Sequence, residues 1–98
     1  VELCRGVARR SLAYARMTPQ GHPWATASGK VTVTEEAEKV VMEAFRLFGG
    51  NGTTLEYPIE KLVRDVRSAL IEDGENMMLT TRLGFLCQQM YEDGWTQN

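Results

Sequence analysis

Apolar residues recur at helical spacing along nearly the whole chain, interrupted only where proline or glycine intervenes. In residues 1–17 they fall at Leu3, Cys4, Val7, Ala8, Leu12 and Ala15, one face of a helix. That helix should end before Thr18-Pro19, because proline disfavours a helical conformation in the residue preceding it. Residues 18–24, with two prolines and a glycine, are the one linker-like stretch. Beyond it, Val33, Ala37, Val40, Val41, Ala44, Phe45 and Phe48 keep a continuous helical face. Two local signals compete with it. The β-branched run Val31-Thr32-Val33-Thr34 reads as a strand by propensity. Thr32 or Thr34, followed by Glu35 and Glu36, alternatively reads as an N-cap with an acidic first turn. One long helix over residues 25–48 is the reading that keeps the face unbroken.

Gly49-Gly50-Asn51-Gly52 should stop that helix, since glycine takes the positive-φ conformation a helix end requires. Pro58 fits the first turn of a third helix, where its missing N–H costs nothing. Ile59, Leu62, Val63, Val66 and Leu70 form the apolar stripe of this helix. After Glu72-Asp73-Gly74 the pattern predicts a last helix over residues 75–92, with Met78, Leu79, Leu83, Leu86, Cys87 and Met90 inward. Residues 94–98 read as a frayed tail. The pattern predicts an all-α fold, three long helices and a shorter one packed as an antiparallel helical bundle.

Composition narrows the reading. Ninety-eight residues with 43% hydrophobic content suffice for one small domain with a modest core. A formal charge of -2 and a sequence pI of about 5.4 predict no electrostatic attraction to nucleic acid. Arg5, Arg9 and Arg10 share their helix with Glu2 and read as a solvated face. Cys4 and Cys87, far apart, argue against a disulfide framework or a metal site and for a reducing, cytoplasmic compartment (or the mitochondrial matrix if the source is eukaryotic). Both read as small hydrophobes. No apolar run approaches the ~18 residues of a membrane span, and no signal peptide is visible. Val1 falls mid-pattern in a helix, so the chain is expected to be a piece of a longer protein.

Several residues have both a chemical and a purely structural reading. The glycine cluster is a plain helix stop, or bare backbone for a ligand to approach; it lacks the preceding strand of a dinucleotide fingerprint. The Glu72-Asp73 pair is a solvated turn with Asp73 capping the last helix, or a general base whose pKa apolar neighbours such as Leu70, Ile71, Met77 and Met78 would have to lift. His22, the one histidine, has no triad partner and reads as a surface residue. Trp24 and Trp95 read as packing anchors and the methionines as core fillers.

Taken together, Phe45 to Gly74 is more specific than any of its parts. Gly49, Gly50 and Gly52 are followed by Glu56-Tyr57-Pro58-Ile59-Glu60-Lys61-Leu62-Val63-Arg64-Asp65, and then by Glu72-Asp73-Gly74-Glu75. This order and spacing resemble the C-terminal domain of acyl-CoA dehydrogenases. There a helix ends in Gln-x-x-Gly-Gly-x-Gly, a Glu-Tyr-Pro run follows, and a Tyr-Glu-Gly-Thr turn comes next. Weaker similarity extends upstream to Val1 and downstream to about Gln89.

The resemblance implies that residues 1–98 are a partial C-terminal domain, the last three major helices of the family's four-helix bundle. It implies part of an FAD-dependent enzyme of fatty acid metabolism that desaturates an acyl-CoA thioester at a CH–CH bond, inactive in isolation. Arg46, Gly49 and Gly50 would lie near the diphosphate region of a partner's FAD, in a homo-oligomer or beside a related subunit. Glu75 and Met77 would lie on the segment touching the cofactor. Asp73 would take the place of the catalytic carboxylate, and Asp73 and Gly74 would meet the substrate. Three positions depart from the family pattern: Asp73 stands for Glu, Arg46 for Gln and Glu75 for Thr. The alternative they leave open is a non-catalytic oligomerisation module from a degenerate dehydrogenase-like subunit.

Overall fold

The computed structural model describes residues 1–17 and 23–94. Four helices follow in order: α1 (Glu2–Met17), α2 (Pro23–Phe48), α3 (Ile59–Ala69) and α4 (Asn76–Glu92), with a 3₁₀ turn, Gly49–Thr53, after α2. The all-α expectation of three long helices and a shorter one holds. Thr18, Pro19, His22 and Trp95 lie outside the described residues.

The competition within residues 31–34 is settled by the continuous apolar face. α2 runs through it, and Thr34 is no N-cap, its hydroxyl turning back to the carbonyl oxygens of Lys30 (2.8 Å) and Val31 (3.3 Å). A threonine oriented this way gives up no helical hydrogen bond.

α2 is the common axis. Each of the other three helices packs on it, and among the described residues they do not pack on one another. All run antiparallel to it. α1 crosses at Gly29, where an added Cβ would overlap Ser11 Oγ and lie 3.2 Å from Ser11 Cβ, so a side chain there requires Ser11 to turn away. Ser11 Oγ donates to the Ala25 carbonyl at 3.0 Å across the same crossing, and the Tyr14 and Trp24 rings meet tilted by 54° with centroids 5.5 Å apart. α3 lies along the C-terminal half of α2, bridged by an Arg67–Glu38 ion pair. α4 lies along the N-terminal half, enclosing with α2 an apolar groove of about 430 Å³ between Trp24, Ser28, Leu83, Cys87 and Met90.

The result is a rod, 54 × 23 × 19 Å, with a radius of gyration of 16.9 Å. A compact chain of this length would have about 13 Å. Among the described residues only Ala25 and Ile59 are fully buried apolar side chains. A helix with a single neighbour hides a narrow stripe, which corrects several inward assignments. Val40, Leu62 and Met78 are exposed, as are Leu3, Leu12 and Cys87. Met17, Met42 and Met77 are exposed too, so methionine is mostly not core filler here. No helix among the described residues is long and apolar enough to cross a membrane.

Candidate functional site

The turn between α3 and α4 lies against the middle of α2. α3 ends at Leu70, and Ser68 O accepts from both Ile71 N and Glu72 N at 3.0 Å. The chain then reverses through two left-handed residues, Asp73 (φ 53°) and Gly74 (φ 107°). Glycine takes such angles freely, whereas aspartate pays a local strain of roughly 1 kcal/mol or more. Asp73 is the one non-glycine residue with positive φ among the described residues. The turn closes where Asn76 N donates to Leu70 O at 3.0 Å.

α4 is capped by Glu75, not by Asp73. The Glu75 carboxylate accepts from Met77 N (2.8 Å) and Met78 N (3.2 Å), satisfying two of the donors a helix start leaves open and placing negative charge at the positive end of the dipole. The capping reading of Asp73 is therefore corrected. Asp73 reverses the chain and Glu75 starts the helix, because the cap position is held by an extended Glu75 (φ -65°, ψ 139°) while Asp73 is left-handed.

The two carboxylates of the turn differ in their backbones. Glu72 N–H is bound to Ser68 O. No described residue accepts from the N–H of Asp73 or of Gly74. Asp73 thus presents an exposed carboxylate and an open N–H from one residue, a base beside a hydrogen-bond donor.

Behind the turn lies a polar group that pattern reading missed. Asn76 is 4% exposed, the one fully buried polar side chain among the described residues. Its Nδ2 donates to Thr34 Oγ1 at 2.9 Å, and its Oδ1 accepts from Lys30 Nζ at 2.5 Å. Lys30 Nζ donates also to Gly74 O (2.9 Å) and Leu70 O (3.2 Å). The only sequence signal was a lysine and two polar residues inside apolar helical patterns, which periodicity treats as noise.

A groove of about 450 Å³ opens beside the turn, walled by Glu35, Lys39, Leu70, Glu75, Met77 and Thr80. There the Glu36 carboxylate, by hydrogen bond and charge, raises the exposed Lys39 ammonium above the usual lysine value.

The other candidates gather at the far end of α2. Arg46 is exposed and pairs with Glu43 at 3.2 Å, one turn back. Gly49 takes a left-handed φ of 59°, and an added Cβ at Gly49 or Gly50 meets nothing within 4 Å. Gly52 instead is buried under the Phe45 ring, 3.1 Å from its would-be Cβ, so it is structural. Sixteen residues of helix separate Arg46 from Lys30, about 24 Å at 1.5 Å per residue. The structure therefore groups Asp73, Gly74, Glu75 and Met77 at one place and Arg46, Gly49 and Gly50 at another.

An all-α domain on one central helix, with a strained acidic turn at its middle and bare glycines at its end, is the class that fold and site define. The chain belongs to the acyl-CoA dehydrogenase family, whose C-terminal domain profile matches residues 2–84. It is 32% identical over 76 residues to a probable acyl-CoA dehydrogenase FadE25 of Mycobacterium tuberculosis, covering 72% of this chain and 20% of that protein. It is 28% identical over 78 residues to a cyclohexane-1-carbonyl-CoA dehydrogenase of Geobacter metallireducens, covering 80% of this chain and 20% of that one. The chain spans about one fifth of the length of these curated relatives. No solved structure matches it.

Proposed function

We propose that this chain carries the proton-abstracting carboxylate of a flavin-dependent acyl-CoA dehydrogenase and forms part of its C-terminal helical domain. The observation that supports this most is the acidic turn, where Asp73 adopts a strained left-handed backbone with both its carboxylate and its N–H uncommitted. Strain of this kind persists where surrounding structure over-determines it, and the Lys30 contacts on either side supply that constraint.

In this reading the Asp73 carboxylate takes the α-proton of a bound acyl thioester. The Asp73 N–H donates to the thioester carbonyl, which acidifies that proton by stabilising the negative charge that develops on oxygen. Bound FAD would supply the acceptor for the β-hydrogen, which leaves as hydride as the Cα–Cβ double bond forms.

The residues proposed for the cofactor fit it unequally. Arg46 offers an exposed guanidinium beside the open backbone of Gly49 and Gly50, a setting that suits an anionic diphosphate. At the start of α4 the amides of Met77 and Met78 are taken by Glu75, which leaves the exposed Met77 side chain as an apolar contact. Two groups some 24 Å apart on one helix would favour contacts to cofactors of different subunits, hence an oligomer.

The test is Asp73→Asn in the natural full-length protein, following the loss of flavin absorbance on adding an acyl-CoA. Asparagine tolerates the left-handed backbone but cannot take the proton. The expected result is normal flavin content with bleaching slowed by orders of magnitude; bleaching at the parent rate would remove Asp73 from the base role. The exposed Leu47 (89%) and Leu55 (85%) near the end of α2 favour a second reading, an association module without catalysis. A full-length protein without a flavin spectrum would select it.

A further inference from the structure

The acidic turn is tied to α2 through one ammonium group, and this gives the site a component outside the turn itself. We propose that Lys30 is a positioning residue for Asp73, holding the peptide units on both sides of it so that carboxylate and N–H face the substrate together. The inference rests on the base reading of Asp73.

A lysine ammonium has three donors and no acceptor. Those of Lys30 meet three acceptors, Leu70 O, Gly74 O and Asn76 Oδ1, so its hydrogen-bonding capacity is filled entirely by residues 70–76. Leu70 O is three positions before Asp73 and Gly74 O one position after it. The bonds therefore bracket the left-handed residues while using none of the polar atoms of Asp73. Leu70 O is also the C-terminal end of α3, where a cation is favoured by the helix dipole.

The ammonium is itself held in place. Asn76 is buried, and the bond from its Nδ2 to Thr34 Oγ1 turns its Oδ1 toward Lys30. Thr34 Oγ1 in turn donates to Lys30 O, closing the network onto the same turn of α2. Lys30, Thr34 and Asn76 thus form one unit that links a rigid helix to a strained junction. Arginine would not substitute, because its planar fork cannot direct three donors to acceptors arranged around a point.

A plain helix-end contact would make the same bonds, so the test must read chemistry through Asp73. In the full-length protein, Lys30→Met, Asp73→Asn and the double variant are compared for exchange of the acyl α-hydrogens in D₂O, read by mass spectrometry of the acyl-CoA. Flavin content, acyl-CoA dissociation constant and thermal midpoint are measured alongside. Lys30→Met should slow the exchange on the order of 10²-fold, the cost of misplacing a reacting group by about 1 Å, with the dissociation constant unchanged. In the Asp73→Asn background it should cause no further loss, because the group it positions is gone.

Losses that multiply in the double variant, or Lys30→Met exchanging at the parent rate, overturn the positioning role alone. Asp73→Asn at the parent rate overturns the base reading and this proposal with it. Where Lys30→Met fails to accumulate, Thr34→Val replaces it, since it releases the Asn76 amide while leaving Lys30 in place. The same non-multiplicative pattern is then expected, and multiplying losses overturn the proposal equally.

Discussion

Replacing Asn76 by alanine should loosen the acidic turn without unfolding the rod. The side chain makes a charge-assisted bond to Lys30 at 2.5 Å and a neutral one to Thr34 at 2.9 Å, both part-buried. A bond to a charged group contributes about 1.5–3 kcal/mol and a neutral one about 0.5–1.5 kcal/mol, so the combined loss is about 2–4.5 kcal/mol. The backbone bond from residue 76 to Leu70 O survives in the variant, and Thr34 keeps its bond to Lys30 O. The loss therefore appears as easier local opening. At a factor of ten per 1.4 kcal/mol, amides of the turn should exchange with solvent roughly 30- to 1,600-fold faster. Hydrogen exchange of the full-length protein, read by mass spectrometry on peptides spanning residues 68–80, measures this, with α1 as internal reference. Unchanged exchange in those peptides, or equal acceleration in α1, would refute the view that Asn76 holds this turn locally.

Substitutions at four other positions separate the forces acting on the rod. Gly29→Ala gains about 1 kcal/mol of helix propensity and loses about 1 kcal/mol as Ser11 turns away from the Ala25 carbonyl, so the thermal midpoint should barely move. Gly29→Val overpacks the same crossing and should cost about 1–3 kcal/mol, read as a lowered midpoint. Glu75→Ala should cost about 1 kcal/mol and speed exchange at the Met77 and Met78 amides, while Glu75→Thr restores most of the protection. Asp73→Gly relieves the left-handed strain, so the midpoint should hold or rise while acyl-CoA-driven flavin bleaching is lost. Arg67→Ala removes the α2–α3 ion pair, yet Arg67 is largely exposed, so the midpoint should change by about 1 kcal/mol or less and less still at high salt.

Element boundaries were legible because proline, glycine and helical periodicity act locally. The long helix was readable through its β-branched run, since Thr34 satisfies its hydroxyl within the helix. Which apolar residues would be buried was not legible. Periodicity gives the direction of a face but not how much of it a neighbour covers, and with three helices sharing one axis Val40, Leu62 and Met78 stay exposed. The motif that carried the resemblance, residues 56–65, is chemically quiet here. Glu60 pairs with Arg64 at 2.7 Å and Lys61 with Asp65 at 2.5 Å, along the outside of α3. The Lys30–Thr34–Asn76 unit left only polar residues inside apolar patterns, because Asn76 stands 42 to 46 positions from its partners on α2 and only the fold joins them.

In the proposed base role, an aspartate at position 73 where the family pattern has glutamate acquires a definite mechanical meaning from this arrangement. One methylene fewer shortens the reach of the carboxylate by about 1.5 Å, a carbon–carbon bond length. A mobile turn could absorb that by leaning toward its substrate. Here the turn is held at Leu70, Gly74 and Asn76 by an ammonium rooted in the N-terminal third of α2. α2 is in turn held by α1, α3 and α4, each of which packs on it. In that role the missing reach would have to come from a substrate seating deeper or from α2 shifting as a body, since the turn has little freedom of its own. The residue that makes Asp73 rigid is thus also the residue that makes its short side chain matter.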